Sequence, residues 1–344
     1  MWTRPRQPRW IVERLNRNDV PSGTLTGVLG GSVKIAAFSR LGGTADLTLS
    51  QSSHEQLNYF SDRIRITYRS GIPGAPDIPM GVYIFDSPKV QHGTASQYEA
   101  SLLPKTAIVD QDLVTETYSL SAGSAIIPAV VALIESTGET RIAVTESDAV
   151  TTSAVAFEAG ESKLTIINEL LTSANYTSLW CDGTGQFRVE PYLEPGDREV
   201  MHDFAAGEAS IHKPEWGREQ DILNVPNRVV VVSPGSDDDP PIIGIAENTD
   251  EDDPFSIPSR GRVIGRTEEV SDMSSQSAAE AHARRLLQGG MTPVATIDVV
   301  HAIVPLEPHD RIRFESHGER YATVREMSFD LNYASQCQAL WREL

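Results

Sequence analysis

The stretch GESKLTIINELLTSANYTSLWCDGTGQFRVEPY, residues 160–192, changes from a helical to a strand periodicity. Its first half has apolar residues at helical spacing: Leu164, Ile167, Leu170 and Leu171. With Ser162 at the position of an N-cap, this spacing predicts an amphipathic helix. The second half alternates apolar and polar residues around Asp182-Gly-Thr-Gly. Because tight turns need residues that tolerate positive φ, residues 179–192 are predicted to form a hairpin.

Asp182 also raises a second interpretation, that of a metal or phosphate ligand on a glycine-rich loop. A calcium loop requires further oxygen ligands at fixed steps, but Gly, Thr, Gly, Gln and Phe follow Asp182. A GxGxxG phosphate loop requires a third glycine where this chain has Arg188. We therefore predict that Asp182 is a turn residue.

On both sides of this stretch, short alternating runs are separated by Gly, Pro or Asp, which is typical of antiparallel β structure. Residues 20–118 are predicted to form a first β-barrel domain. Residues 119–200 are predicted to form an α+β middle region, and residues 201–344 a second β-barrel domain. The second barrel domain contains an acidic loop at 236–254 and a helix at 274–288. The predicted fold class is mainly β, with two β-barrel, tube-like domains flanking a small α+β region.

Both predicted barrel domains contain the tetrapeptide Asp-Arg-Ile-Arg next to an apolar strand. It occupies residues 62–65 in the first domain and residues 310–313 in the second. An old duplication would produce this identity, and so would chance in a match of this length.

The 344-residue chain has a formal net charge of −19, from 29 Lys and Arg against 48 Asp and Glu. Such a chain does not bind nucleic acid through a general basic field. An acidic wall suits a conduit that DNA passes without being held, and acidity equally serves solubility. The acidic runs 237–239 and 250–253 lack ligand spacing and are interpreted as solvated loops.

The first 17 residues run against this acidity, with five Arg and one Glu. Residues 1–19 are therefore predicted to be a basic arm, either solvated or docked on a neighbouring subunit. The candidate contact residues of this arm are Trp2, Arg4, Arg6, Arg9 and Trp10. A second candidate for a subunit contact is the apolar strand of Val229, Val230, Val231 and Val232, since free apolar strands promote association.

Motifs that carry catalysis are missing from the sequence. There is no HExxH zinc motif and no GxSxG nucleophile elbow. His202, His212 and His301 are isolated and are interpreted as structural residues. Cys181 and Cys337 have no CxxC spacing and are predicted to be free thiols in a reducing cytoplasm. We expect no enzyme, no cofactor, no metal and no membrane-spanning segment.

In their order along the chain, these elements resemble the hub proteins of phage baseplates and tail tips, and their relatives in contractile injection systems. The first two stretches that carry the resemblance are GTLTGVLGGSVKIAAFSRLGGTADLTLS and DRIRITYR with IPMGVYIFDSP. The helix and hairpin of residues 160–192 follow, and then NVPNRVVVV with HAIVPLEPHDRIRF. Together these stretches cover about residues 20–344. Each motif is loose alone, so their order carries the resemblance.

The resemblance implies a homotrimer on the tail axis, in which two similar β-barrels per chain make a pseudo-sixfold ring. The implied partners are a distal tail or tail-tube protein above, and a fibre, spike or other minor tail protein below. The tape-measure protein and transiting DNA would occupy the lumen without specific binding. The protein would be made in the bacterial host cytoplasm and reside in the virion tail tip. Because the sequence ends after the second barrel, no cell-wall hydrolase is expected.

Two alternatives remain open at this point. A distal tail protein would form a hexameric ring directly above the hub, but such proteins usually have one barrel. A carbohydrate-binding or carbohydrate-degrading β-sandwich protein would use Trp180, Tyr192 and Trp216 to line a sugar groove. The mass in solution separates these hypotheses, because they predict a trimer, a hexamer, and a monomer or dimer.

Overall fold

The computed structural model describes residues 2–92, 97–233, 240–270, 276–290 and 295–344. The side chains of residues 278 and 289 lie outside this description. So do residues 236–239 of the predicted acidic loop and residues 274–275 of the predicted helix. The described chain is mainly β with a few helices, as the sequence predicts.

The strands of the first 220 residues are β1 Arg9–Leu15, β2 Pro21–Thr24, β3 Val28–Ala36, β4 Gly43–Leu49, β5 Arg63–Arg69, β6 Ile78–Gln91, β7 Gln97–Pro104, β8 Tyr118–Leu120, β9 Ile142–Val144, β10 Val155–Phe157, β11 Trp180–Cys181, β12 Phe187–Val189, β13 Val200–Phe204 and β14 His212–Gln220. The strands that follow are β15 Arg228–Ser233, β16 Ile242–Glu247, β17 Gly265–Glu269, β18 Ala295–His301, β19 Arg311–Glu315, β20 Glu319–Asp330 and β21 Cys337–Glu343. The helices are α1 Gln51–His54, α2 Thr106–Gln111, α3 Ile126–Glu135, α4 Lys163–Ser173, α5 Ile257–Arg260 and α6 Gln276–Gly290. Short 3-10 turns occupy Pro195–Asp197 and Gly207–Ala209.

One sheet of 13 strands contains strands from both predicted barrel domains, in the order β14-β18-β21-β20-β3-β4-β7-β6-β5-β1-β2. Next to this path, β19 pairs with β20, and β13 pairs with β19. We call the strands from the first and the second predicted barrel domain the two β halves. The long strand β20 joins them, because its first part pairs with β19 and its second part pairs with β3. Buried residues of both halves form one apolar core. In the described residues the strand order does not close on itself, so no closed barrel is seen.

The N-terminal segment differs from the predicted arm, which was either solvated or docked on a neighbouring subunit, because residues 9–15 form a strand of the large sheet. β1 pairs with β5 over its whole length, from Arg9 opposite Arg69 to Leu15 opposite Arg63. Val12 and Leu15 are buried in the core. The apolar residues of this segment therefore determine its place in the structure more than its positive charge does.

The middle region packs α3 and α4 in a second apolar core with β9, β11 and β12. Helix α4 buries the predicted stripe together with Ile166. Ser162 stands at the N-cap position, but its side chain makes no capping hydrogen bond. Its hydroxyl instead donates to the Asp110 carboxylate, 2.9 Å away. The predicted cap is therefore replaced by a bond to α2, which holds the start of α4 against that helix.

Residues Arg218–Thr296 form a compact unit of their own, and Met1–Gly217 with Ile297–Leu344 form the other unit. In the smaller unit, β15 lies between β16 and β17, and α6 packs on one face of this sheet. Two sequence-based boundaries are corrected here. Part of the predicted acidic loop 236–254 is strand β16, because Ile242, Ile243 and Ile245 favour β structure. Helix α6 also continues to Gly290, two residues beyond its predicted end.

Candidate functional site

The hairpin of β11 and β12 has Asp182 at its turn, as the sequence predicts. The Asp182 Oδ1 atom accepts hydrogen bonds from the Thr184 amide at 2.9 Å, the Thr184 hydroxyl at 2.7 Å and the Gln186 amide at 3.1 Å. All three donors belong to the turn itself, so this carboxylate oxygen is fully used in fixing the bend.

Both glycines of the turn are needed for close packing against β6. A Cβ atom added to Gly183 would lie 2.2 Å from the Pro79 carbonyl oxygen. Gly185 has a φ of +83°, and a Cβ atom there would lie 2.6 Å from a methyl group of Val82. The hairpin tip is therefore a docking element that holds the α+β region on the large sheet. The sequence predicted the bend, but not that the bend touches β6.

Beneath this tip lies a buried network of two cations and two carboxylates. The Lys105 ammonium is 2.6 Å from the Asp19 carboxylate and 2.6 Å from the Glu139 carboxylate. Arg63 donates to the same two carboxylates, at 2.7 Å and 2.6 Å. Lys105 also donates to the Gly185 carbonyl, 3.0 Å away, which ties the network to the hairpin tip.

The four charged side chains are between 0% and 10% exposed, so water screens them very little. Their charges balance, which is the condition for burying ions without a large loss of stability. They come from the β1–β2 turn, β5, the end of β7 and the segment after α3. The sequence does not predict this group of four, because no spacing pattern connects such distant segments.

A cavity of about 420 Å³ opens beside the hairpin tip. Its walls are formed by residues 35–42, 79–83, 176–183 and 306–309. Glu307 faces the tip, and its Oε1 atom lies 3.4 Å from the Gly183 amide. Burial, with the nearby Asp182 carboxylate as a second cause, raises the pKa of Glu307 to about 7. This carboxyl group therefore changes charge near neutral pH.

The other titratable groups of the cavity do not form a nucleophile with an activating base. Burial raises the pKa of the Cys181 thiol, which keeps it protonated and poorly nucleophilic. Burial lowers the pKa of His309, whose ring instead meets the Phe38 ring edge-on at 5.3 Å. The geometry thus supports a packing role for this region.

The three isolated histidines all lie against aromatic rings, as expected for structural residues. His301 is buried between Phe204, at 4.7 Å, and Trp341, at 5.5 Å between ring centroids. Burial lowers the pKa of His301 to about 4, so the ring is neutral at neutral pH. His202 also contacts Phe204, and the ring of His212 lies 4.9 Å from another aromatic ring of the core.

The three aromatic residues of the sugar-groove hypothesis are not brought together on one surface. Trp180 and Tyr192 line the cavity. Trp216 instead packs edge-on against Phe314 at 5.2 Å, and its indole nitrogen donates to the Ser316 hydroxyl at 3.0 Å. Nothing in this arrangement favours a sugar site.

The predicted contact residues of the N-terminal segment mostly hold their own chain. The Arg6 guanidinium donates to the Ile303 carbonyl at 2.5 Å. The Trp10 indole donates to the Asn332 carbonyl at 3.1 Å and packs edge-on against a buried tyrosine. Trp2 is half-buried, and Arg4 and Arg9 are exposed.

The four valines of β15 divide between the two faces of the smaller sheet. Val229 and Val231 are fully buried under α6. Val230 and Val232 point to the opposite face and are half-buried. Only the second pair therefore has surface to offer to another chain.

The described part of the chain offers no candidate for a metal site or for a membrane-spanning helix. No group of three or more His, Cys, Asp or Glu side chains there is placed to hold a metal ion. No helix in the same residues is long and apolar enough to cross a membrane.

Phage tail proteins share this fold. A tail protein from Neisseria meningitidis MC58 has a TM-score of 0.69, with 97% of each chain covered at 10% identity. A 43 kDa tail protein of prophage MuSo2 from Shewanella oneidensis has a TM-score of 0.65, with 98% of each chain covered at 10% identity. A prophage tail protein from Listeria monocytogenes EGD-e has a TM-score of 0.53, covering 96% of this chain and 94% of its own at 13% identity.

No protein-family model matches the sequence, and no curated protein matches it. At identities this low, the structural likeness shows the fold alone. At that level it confirms the resemblance to phage tail and baseplate proteins that the order of sequence motifs indicates.

Proposed function

We propose that this protein is a structural, non-enzymatic hub of a phage tail tip or baseplate. The observation that carries this proposal is the likeness to two tail proteins over 97% to 98% of both chains. A likeness of this extent includes the α+β region and the smaller unit, and not only the large sheet. The likeness therefore extends over the whole fold, and this supports the proposal.

In this proposal three copies form a ring around the tail axis. The two β halves of each chain act as two tube-like domains, so that three chains present six similar units. The pairing of β20 with β3 supports this arrangement, because it fixes one half against the other within each copy. A threefold ring of this kind matches a sixfold tube on one side and a threefold fibre or spike on the other.

The ring would join a distal tail or tail-tube protein above to a fibre, spike or other minor tail protein below. The tape-measure protein and then DNA would pass through the lumen without specific binding. The net charge of −19 supports this passage, because an acidic wall lowers the affinity for phosphates. The place of the protein would be the virion, after synthesis in the host cytoplasm.

Contacts between copies would use the predicted residues that still have accessible surface. In the N-terminal segment these are the exposed Arg4 and Arg9 beside the half-buried Trp2. In β15 they are Val230 and Val232.

Light scattering of the purified chain over a range of concentrations tests the proposal. We expect a mass near three times 37.6 kDa, and a ring with a central opening in electron micrographs. A hexamer would favour a distal tail ring instead. A monomer that binds or cleaves glycans would replace the hub hypothesis with the carbohydrate hypothesis.

A further inference from the structure

The cavity beside the hairpin tip has the size and the walls of a small-ligand site. Its volume of about 420 Å³ lies within the ~300–1,000 Å³ of such pockets. Met80, Leu179 and Leu306 line it and are buried, so part of its wall is apolar. Phe38 and Tyr192 also line it and are 61% and 43% exposed, which places two aromatic side chains where the cavity meets solvent. An apolar or aromatic group can therefore enter the cavity from solvent.

Two carboxylates stand among these apolar residues without a close cationic partner. In the described residues the Glu307 carboxylate accepts one hydrogen bond, from the Gly183 amide at 3.4 Å, and no Lys, Arg or His nitrogen lies within 4 Å of it. Asp182 is 8% exposed, and its Oδ2 atom lies 3.8 Å from the Arg188 Nε atom, beyond hydrogen-bonding distance. That Nε atom is buried and has no hydrogen-bond partner of its own in the same residues. The cavity wall thus retains carboxylate oxygens that a bound donor could use.

The charged groups around Glu307 are mostly negative. Burial is the main cause of the raised pKa of Glu307; the carboxylates of Asp182 and Asp310 raise this pKa further, and Arg188 lowers it. The His309 ring in the same wall adds no positive charge at pH 8, because burial lowers its pKa. A cation placed against Glu307 would offset this excess of negative charge, whereas an anion would add to it. The cavity therefore favours a cationic ligand.

We propose that this cavity binds a ligand with a protonated amine or guanidinium group on an apolar stem. The cationic group would lie at the Glu307 and Asp182 carboxylates, where its hydrogen bonds are charge-assisted. The stem would lie against the aromatic rings of Phe38 and Tyr192, whose faces also attract a cation. A free amine and a lysine or arginine side chain of a partner protein share this chemistry. The inference goes beyond the proposed function and does not depend on the number of copies in the assembly.

Calorimetric titration of the full-length chain at pH 8 with benzylamine and with benzyl alcohol tests the inference. Both probes have the same aromatic stem, and only the amine is charged. Because hydrogen bonds between charged groups are strong, benzylamine should bind at least about 10-fold more tightly than benzyl alcohol. Glu307→Gln should remove this preference, and Glu55→Gln, the matched loss of an exposed carboxylate, should keep it. Titration in about 0.15 M salt limits the general attraction of an acidic chain for cations.

Two further measurements separate a binding role of Glu307 from a structural one. From pH 8 to pH 6 the affinity of the wild type for benzylamine should fall by about 10-fold, because Glu307, with a pKa of about 7, becomes protonated. The Glu307→Gln variant should show no such fall. Tyr192→Ala should weaken the binding of benzylamine and of benzyl alcohol alike, by about 3- to 10-fold, because it removes an aromatic contact of the stem. The melting temperature verifies that each variant is folded.

The source of the ligand is distinguished with butylamine and Nα-acetyl-lysine amide, which carry the same butylammonium group. Tighter binding of the lysine amide would assign the cavity to a side chain of a partner protein, and equal or tighter binding of butylamine would assign it to a free amine. Failure of benzylamine to bind, an equal affinity for benzyl alcohol, or a preference that Glu307→Gln retains would overturn the inference. Each of these results would leave the proposed hub function standing, because that function is tested by the mass of the assembly.

Discussion

The two Asp-Arg-Ile-Arg segments begin strands in equivalent ways. In each, the aspartate closes the turn before the strand: Asp62 accepts from the Asn58 amide at 2.9 Å, and Asp310 accepts from the Glu307 amide at 2.8 Å. In each, the isoleucine at the third position is fully buried in the core of the large unit. The local pattern thus determines the turn, the strand and the inward side chain in both halves.

The first arginine of the segment has different bonding partners in the two halves. Arg63 lies under the hairpin tip and is bonded to two buried carboxylates. Arg311 donates to the carbonyl oxygens of Gly196 and Arg198, and its guanidinium lies 4.7 Å from the Tyr321 ring. The comparison shows that the role of a side chain depends on which distant segment packs over it, even when its neighbours in sequence are the same.

The largest predicted effect follows from this contrast. Arg63→Met should lower the free energy of unfolding by about 3–5 kcal/mol, because it leaves an uncompensated negative charge in the buried network. Arg311→Met, the matched control, removes bonds to carbonyl groups only and should cost about 1 kcal/mol. Urea unfolding of both variants measures the difference. Equal losses in the free energy of unfolding would contradict the prediction, because they would show that the surroundings of Arg63 and Arg311 contribute equally to stability.

A second prediction concerns the turn before the second segment, which contains the half-buried Glu307. Its folded-state pKa of about 7 lies above the ordinary value of 4.5, so the folded chain binds this proton more tightly than the unfolded chain. The stabilisation from this proton is complete below pH 4.5 and is lost as the pH rises through 7. Relative to Glu307→Gln, the wild type should therefore lose about 3 kcal/mol between pH 4 and pH 8.

Unfolding measured in urea at several pH values tests this shift. Glu55→Gln, at the exposed residue that follows helix α1, is the control for the loss of a carboxylate at a solvent-exposed position. A Glu307→Gln curve parallel to that of the wild type would show that Glu307 titrates normally in the folded protein.

The smallest predicted effect concerns the second arginine, the fourth residue of each Asp-Arg-Ile-Arg segment. Arg65 pairs with Glu13, and Arg313 pairs with Asp203 and Glu319. All of these side chains are at least 25% exposed, so each pair contributes little. Arg65→Met and Arg313→Met should each cost less than about 1 kcal/mol, and by similar amounts. If either variant lost as much unfolding free energy as Arg63→Met, the prediction that its ion pair is solvent-screened would be wrong.

Features that depend on local sequence could be predicted. The stripe of α4, the bend at Asp182 and the strand after Asp62 all follow from periodicity and turn chemistry, and all are present. The interpretation of His301 as a structural residue also agrees with its place between aromatic rings.

Contacts between segments that are distant in sequence could not be predicted. The partners of Lys105 are 86 residues away at Asp19 and far downstream at Glu139, so no window of sequence contains them. The proposed division into two barrel domains missed the pairing of β20 with β3, and it placed the smaller unit inside the second barrel. Strand order and domain insertion depend on contacts across the whole chain, which the alternation of apolar residues does not encode.

The dual pairing of β20 has a mechanical consequence. A pull that separates the two β halves along the strand direction loads the β20–β3 hydrogen bonds in shear, from Glu326 opposite Ala36 to Asp330 opposite Ser32. Bonds loaded in this way share the force and must break together, whereas bonds at a hinge would open one after another. The junction is therefore suited to transmitting force from one end of the chain to the other without yielding.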